Sequence, residues 1–202
     1  MKDVSNKQFW QDIYDSSDTG WDLGTPTPVF VHIREERTLA PGAMLVPGCG
    51  RGYDAVHYAI HGFDVTAVDF AQSAIDAVNT NAAHAGVTVH AEQEDIFTLG
   101  VRHPAAFDYV LEYTCYCAIA PERRAEYARV IGTVLKPGGL LIGLFFPMDA
   151  RDGGPPFAVS EEQIVALFSP EMELISSEFR DDSISPRRGK EKLMIWKRRG
   201  GR

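Results

Sequence analysis

Cysteine is scarce: Cys49, Cys115 and Cys117 are the only three in a chain of 202 residues. So few cannot staple a disulfide framework, and their use fits a reducing compartment. Long hydrophobic runs are absent as well. No apolar stretch approaches the roughly 20 residues needed to span a bilayer, and the opening Met1-Lys2-Asp3-Val4-Ser5-Asn6 lacks the apolar core of a signal peptide. The expectation is a soluble, cytoplasmic protein with no membrane partner. There is no internal repeat, low-complexity tract or linker, and the near-average composition argues against disordered, collagen-like and coiled-coil chains. Two signatures are also missing: the Tyr-x-x-x-Lys pair of small reductases and the Lys-Ser/Thr pair that completes a phosphate loop.

What remains is a globular composition, 45% hydrophobic and 24% charged, on a length that suits one domain over residues 1–202. The net charge of -8 is uneven. Residues 187–202 hold eight Lys/Arg against one acidic residue, Glu191, whereas residues 1–186 hold 12 basic and 27 acidic groups. An acidic body of this kind repels phosphate backbones, so a nucleic-acid partner is not expected. The basic tail reads as a solvated last strand that can still attract a small anion. A small-molecule substrate and a monomer or weak homo-oligomer are expected.

Short apolar runs at 43–46, 64–68, 87–91, 107–111 and 140–146 predict strands, and helical patterns at 53–60, 72–85 and 121–135 lie between them. That alternation predicts an α/β fold, a doubly wound, mostly parallel sheet covered on both faces. The order then changes. Ser160 with Gln163 three residues on predicts a capped helix over 160–168, followed by strands at 172–179 and 193–196. Helices predicted at 6–14 and 29–38 precede the first strand. They make residues 1–40 a candidate helical lid over a sheet core of 41–202.

The strongest local motif is Leu45-Val46-Pro47-Gly48-Cys49-Gly50-Arg51-Gly52-Tyr53. A strand that runs through three glycines into a helix lets a ligand approach the backbone closely. The dinucleotide fingerprint needs its third glycine where Tyr53 stands, so the spacing suits an adenosine cofactor without phosphates. Asp69 ends the next predicted strand, where a carboxylate can accept from both ribose hydroxyls. Its loss is expected to weaken the cofactor without unfolding the chain. Asp95-Ile96 offers a carboxylate to an adenine amino group and an aliphatic face to its ring.

Trp10 and Tyr14 are four apart and share one helix face. With Trp21 they can form an aromatic cover that attracts a cation by about 0.5–2 kcal/mol per ring, or simply pack as a lid. His57 and His61 have metal-compatible spacing, but no glutamate follows His57 and no third ligand is evident, so no metal is expected. Cys115-x-Cys117 reads as a pair of small buried hydrophobes.

Taken together, Gly48-Cys49-Gly50-x-Gly52, Asp69, Glu94-Asp95, Phe107-Asp108 and Leu135-Lys136-Pro137-Gly138-Gly139 resemble a class I S-adenosylmethionine-dependent methyltransferase. Further segments narrow the resemblance: Phe9-Trp10-x-x-x-Tyr14, Gly20-Trp21-Asp22-x-Gly24, Cys117-Ala118-Ile119-x-Pro121-Glu122, Gly153-Gly154-Pro155-Pro156-Phe157, and 182–193 with Pro186-Arg187-x-Gly189-Lys190-Glu191-Lys192. They are similar to the thiopurine methyltransferase superfamily, in its thiol, thiocyanate and halide branch, from about Phe9 to Lys197. The resemblance implies a seven-stranded Rossmann-like sheet with a reversed C-terminal hairpin. It implies cofactor contacts from Trp10, Tyr14, Trp21, Gly48, Gly50, Asp69, Asp95, Ile96 and Tyr113, and a substrate pocket of Trp21, Tyr113 and Phe157 with Arg187 and Arg188 close by. Tyr14 stands where plant members usually have a second tryptophan, and Phe157 where they tend to have a tyrosine. An aromatic is kept at the first position, and a hydroxyl is lost at the second.

The expected enzyme is an S-adenosylmethionine-dependent methyltransferase acting on a thiol, thiocyanate or a halide by in-line displacement. No obligate base is assigned, because alignment and desolvation are its main work. The alternatives are a thiopurine-type or other small-molecule methyltransferase, a nicotinamide-dependent reductase and a non-catalytic adenosine-ligand sensor.

Overall fold

The sheet is built from β-branched and aliphatic runs that cannot be left in water, and the glycines and prolines between them set where each run ends. The computed structural model describes residues 3–16 and 18–200. It holds a seven-stranded α/β sheet in the order β3-β2-β1-β4-β5-β7-β6. The chain divides into two compact units, Met1–Asp95 and Ile96–Arg202.

The first unit contains α1 (Lys7–Asp15), α2 (Pro28–Glu36), β1 (Ala43–Pro47), α3 (Tyr53–Ile60), β2 (Asp64–Asp69), α4 (Gln72–Ala85) and β3 (His90–Gln93). β1 pairs in parallel with β2, Ala43 opposite Asp64, and β2 in parallel with β3, Thr66 opposite His90. Asn6 caps α1 by accepting from the Gln8 N–H at 2.8 Å. α2 starts on Pro28, whose fixed φ suits a first helical position. Its Val29, Phe30 and Ile33 are at most 1% exposed, so this helix is core. α3 and α4 fall on the ranges their periodicity predicts. β3 does not: it begins three residues later than expected. Gly86 closes α4 with a left-handed φ of 68°, and the Val87 N–H bonds back to the Ala82 carbonyl, so residue 87 still belongs to the helix terminus.

The second unit contains α5 (Leu99–Arg102), β4 (Phe107–Tyr113), α6 (Arg124–Val134), β5 (Leu135–Phe145), α7 (Glu161–Phe168), β6 (Met172–Phe179) and β7 (Lys192–Arg198). β4 and β5 are parallel, and β7 runs antiparallel to both β5 and β6. This is the reversed hairpin. β5 starts at Leu135 rather than 140, because Leu135 already pairs with Phe107 before the register shifts and resumes at Tyr109 opposite Leu140. Lys136 bonds Asp108 at 2.8 Å across that irregularity, and a Cβ on Gly139 would lie 3.0 Å from the Asp108 carbonyl. The Phe107-Asp108 and Leu135–Gly139 motifs are therefore two sides of one bulge. Ser160 caps α7 as expected, accepting from the Gln163 N–H at 3.2 Å. Phe145, Phe168 and Trp196 make the aromatic centre of this unit, with rings 5.8–6.1 Å apart.

Asp54, in the first turn of α3, ties the N-terminal segment to the sheet. Its two oxygens accept from the Thr27 N–H at 2.7 Å and the Thr27 hydroxyl at 2.8 Å. Burial pushes its carboxyl up to about 6 against those two donors. The folded state therefore holds a proton more tightly than the unfolded chain, and stability falls as pH rises from about 4 to 6. The drop is on the order of 2–3 kcal/mol. Urea unfolding across that range, compared with Asp54→Asn, measures it: the amide keeps an acceptor for Thr27, and the slope assigned to residue 54 disappears.

Candidate active site

At the carboxyl end of β1 the chain makes the glycine turn. Gly48, Gly50 and Gly52 all have positive φ, 60°, 54° and 77°, where a Cβ is strained. Gly52 has a second reason to be glycine: a Cβ there would lie 2.7 Å from the Val78 side chain on α4. A Cβ on Gly50 would lie 3.3 Å from the Tyr14 hydroxyl. Asp69, at the end of β2, holds the turn. It accepts from the Gly50 N–H and the Ala71 N–H, each at 3.0 Å, and the Phe70 N–H adds a third donor. Burial raises its carboxyl, and these donors pull it back. A carboxylate has about four acceptor positions, so three are spent on the backbone. Asp69 retains acceptor room for a ligand hydroxyl. Gln93, the last residue of β3, pairs with Asp69, which puts Asp95 two residues past the neighbouring strand end. Ile96 follows, 9% exposed.

The aromatic residues of the N-terminal segment form one cluster. Tyr14 is buried with Ala71 and Ala74, and Trp10 and Trp21 pack against it. Trp21 meets Trp10 edge-on at 5.9 Å and Tyr14 at 5.8 Å, and its indole bonds the Tyr14 hydroxyl. Burial, then the charge of Asp69, raises the Tyr14 pKa well above its ordinary value. The segment is latched at its edges: Gln11 and Asp15 both bond the Ser73 hydroxyl, and Asp22 pairs with Arg51 of the glycine turn at 2.7 Å. The His57 and His61 rings lie 4.5 Å apart, tilted by 50°, and His61 Nδ1 is engaged by the His57 carbonyl at 2.8 Å.

In the second unit, β4 ends at Tyr113 and the chain turns sharply. Thr114 has φ 61°, and the Tyr116 N–H bonds Glu112 at 2.8 Å. The Tyr113 hydroxyl donates to Glu191 at 2.8 Å and accepts from Arg187 at 2.5 Å. Arg187 is buried and also stacks on Phe146. Its neighbour Arg188 is exposed and bonds the Ser183 carbonyl at 3.4 Å. The structure thus separates two residues that sequence reasoning treated as a pair. Phe157 is half-buried, its N–H bonded to the Cys117 carbonyl at 2.7 Å and its carbonyl to Arg124. Cys115 and Cys117 are buried free thiols, as expected of small hydrophobes, and burial pushes Cys117 up to about 12. Glu191 is a buried residue that the sequence does not single out. Between Lys190 and Lys192 it reads as part of a solvated charge run, and yet it is 1% exposed.

A glycine turn after the first strand, an acidic residue ending the second and a reversed last hairpin define a class I S-adenosylmethionine-dependent methyltransferase. The solved structure of a Burkholderia thailandensis 1,6-didemethyltoxoflavin-N1-methyltransferase with bound S-adenosylhomocysteine superposes with a TM-score of 0.74 at 21% identity. It covers 98% of this chain and 88% of that one. The particular family follows from the sequence: residues 5–199 match the family described as thiopurine S-methyltransferase, and the chain belongs to it. It is 38% identical to a probable thiol methyltransferase 2 of Arabidopsis thaliana, over 94% of this chain and 84% of that protein. It is 36% identical to thiocyanate methyltransferase 1 of Brassica oleracea over the same shares. A thiopurine S-methyltransferase of Pseudomonas fluorescens is 28% identical, over 86% and 87%.

The backbone bonds of Asp69 add a stability cost to the loss of cofactor affinity expected on its removal. Asp69→Ala leaves the half-buried Gly50 donor and the buried Ala71 donor without this partner, at about 1–3 kcal/mol each. Chemical denaturation of the ligand-free variant, which is still expected to fold, should show a loss of roughly 2–4 kcal/mol.

Proposed function

We propose that the protein transfers a methyl group from S-adenosylmethionine to a small soft nucleophile: a thiol, thiocyanate or a halide. The observation that carries this reading is the positive-φ glycine turn after β1, held by the Asp69 carboxylate; within the second unit, an arginine-backed tyrosine hydroxyl ends β4. When bound, the cofactor supplies a methyl group on a positively charged sulfur. The chain's own residues hold and desolvate its partners. In this proposal Gly48 and Gly50 admit the cofactor to the backbone, Asp69 accepts a ribose hydroxyl, and Asp95 with Ile96 flanks the adenine. Trp10, Tyr14 and Trp21 exclude water and offer ring faces to the positive sulfur, at about 0.5–2 kcal/mol each. The residues fit such a group because the turn presents three positive-φ glycines and its cationic side chain, Arg51, is engaged by Asp22. Tyr113, Phe157 and Arg187 act on the acceptor. Arg188, exposed and bonded to Ser183, has the weaker claim.

A thiopurine-type acceptor is the second reading, because family relatives include thiopurine S-methyltransferases. Among the described residues no helix is long and apolar enough to cross a membrane. A cytoplasmic location belongs to the proposal, supported by three free cysteines.

Release of S-adenosylhomocysteine on mixing the protein with S-adenosylmethionine and ethanethiol, thiocyanate, iodide or a thiopurine tests the acceptor class. We expect turnover with the thiol and with at least one of the anions. Methylation of a catechol or an amine alone would sink this reading and leave the methyltransferase class standing. In calorimetry, S-adenosylhomocysteine is expected to bind and NADH not to.

The lid expectation narrows to the part of residues 1–40 that is not core. α2 is packed, whereas α1 is held mainly by side-chain bonds to Ser73 and by its aromatic face. Hydrogen exchange with and without S-adenosylhomocysteine is expected to slow in α1 and stay unchanged in α2. Equal protection of α1 in both states refutes a moving lid.

A further inference from the structure

Glu191 plays no part in the roles above, yet its setting is unusual. It is a carboxylate at 1% exposure, and the Tyr113 hydroxyl donates to it at 2.8 Å. Arg187 donates to the same hydroxyl oxygen at 2.5 Å, with its guanidinium 5.2 Å over the Tyr113 ring. The polarity of this chain is fixed by chemistry. A guanidinium only donates, so the hydroxyl must accept from Arg187, and its one proton is committed to Glu191. Toward a protonated group arriving at Tyr113, the oxygen can act only as an acceptor. Tyr113 is the last residue of a parallel strand, the end at which α/β sheets bind their ligands.

We propose that Tyr113 and Glu191 form a proton-accepting relay for thiol acceptors, with Arg187 holding the hydroxyl in place. The inference rests on the proposed acceptor class and refines it. The thiol S–H bond breaks as its proton passes to the Tyr113 oxygen. The Tyr113 O–H bond breaks at the same time, and that proton passes to Glu191. The S–H electron pair stays on sulfur, which becomes the nucleophile. Tyr113 is neutral before and after, and Glu191 ends protonated and returns the proton to water after product release. Thiocyanate and iodide arrive without a proton and do not use the relay.

The groups that face Glu191 are Tyr113 from β4, and Arg187, Ser183 and Asp182 from the segment before β7. Burial raises the Glu191 carboxyl, and Asp182 adds to the rise against the pull of Tyr113 and Arg187. A carboxylate raised in this way is a better match to a thiol proton than an exposed glutamate. Burial and the Glu191 charge hold the Tyr113 proton far above its ordinary range, so Tyr113 conducts a proton only as it receives one.

The test measures kcat/KM for ethanethiol and for iodide against pH in the wild type, Glu191→Gln and Tyr113→Phe. Loss of the relay is expected to lower the thiol-to-iodide ratio by about 10- to 100-fold at neutral pH. In both variants the thiol rate should climb with pH towards the thiol's own pKa, whereas the wild-type profile breaks at lower pH. Carbon-13 NMR titration of the carboxyls, with Glu191 assigned by the signal missing in E191Q, should place its pKa at that break. An unchanged ratio, an equal loss with both acceptors or a Glu191 titration away from the break overturns the relay while the acceptor class stands. A wild type that methylates none of the thiol, thiocyanate or iodide overturns the acceptor class, and the relay with it. If E191Q does not fold, Tyr113→Phe carries the same ratio and profile.

Discussion

Asp69 joins the pieces of the proposed cofactor site in the first unit. Its carboxylate binds the N–H of Gly50 in the glycine turn and that of Ala71 at the head of α4. A turn of positive-φ residues has backbone donors pointing inward with no strand or helix to satisfy them. A buried carboxylate resolves this with charge-assisted bonds, which are about twice as strong as neutral ones. The cost is desolvation, visible in the raised carboxyl. The turn and the start of α4 are then a single element. The aromatic cluster depends on it in turn, because Tyr14 packs on Ala71 and Ala74.

The N-terminal segment is attached in two different ways, and the difference sets what can move. α2 is bound by apolar burial, with Val29, Phe30 and Ile33 inaccessible and the Tyr58 hydroxyl bonded to the Phe30 carbonyl at 3.0 Å. Extracting it would expose side chains worth about 1.5–3 kcal/mol each. α1 fully buries only Tyr14, with Trp10 packed beside it, and its ties to Ser73 are polar contacts that water can replace at small net cost. Asp54 and Thr27 mark the border between the two regimes.

The glycine turn was legible in sequence because positive φ leaves so few residue choices, and α3 and α4 because their apolar spacing is regular. The late start of β3 and the early start of β5 were not. Both are decided by a partner: the Val87 N–H returning to Ala82 in one case, Leu135 pairing with Phe107 in the other. Arg187 and Arg188 are chemically identical neighbours, so only the folded segment can show which one is buried. Glu191 was hidden by Lys190 and Lys192, which make it look solvated. Its partner Tyr113 is 78 residues away, beyond any local pattern.

The second unit holds two buried glutamates bonded to tyrosines, and the contrast between them separates a structural role from a chemical one. Glu112 accepts from the Tyr116 N–H and from the Tyr127 hydroxyl. Burial pushes it up to about 7, as strongly perturbed as many catalytic carboxylates. Both partners are themselves inaccessible, Tyr116 at 1% and Tyr127 at 0% exposure, so no substrate proton can reach this network. Its work is to fasten the turn after β4 to α6. Glu191 is equally buried, but its tyrosine is only half-buried and stands at a strand's carboxyl end. A perturbed carboxyl alone does not distinguish the two. The deciding property is whether the hydrogen-bond chain ends in the core or at a surface that a ligand can touch.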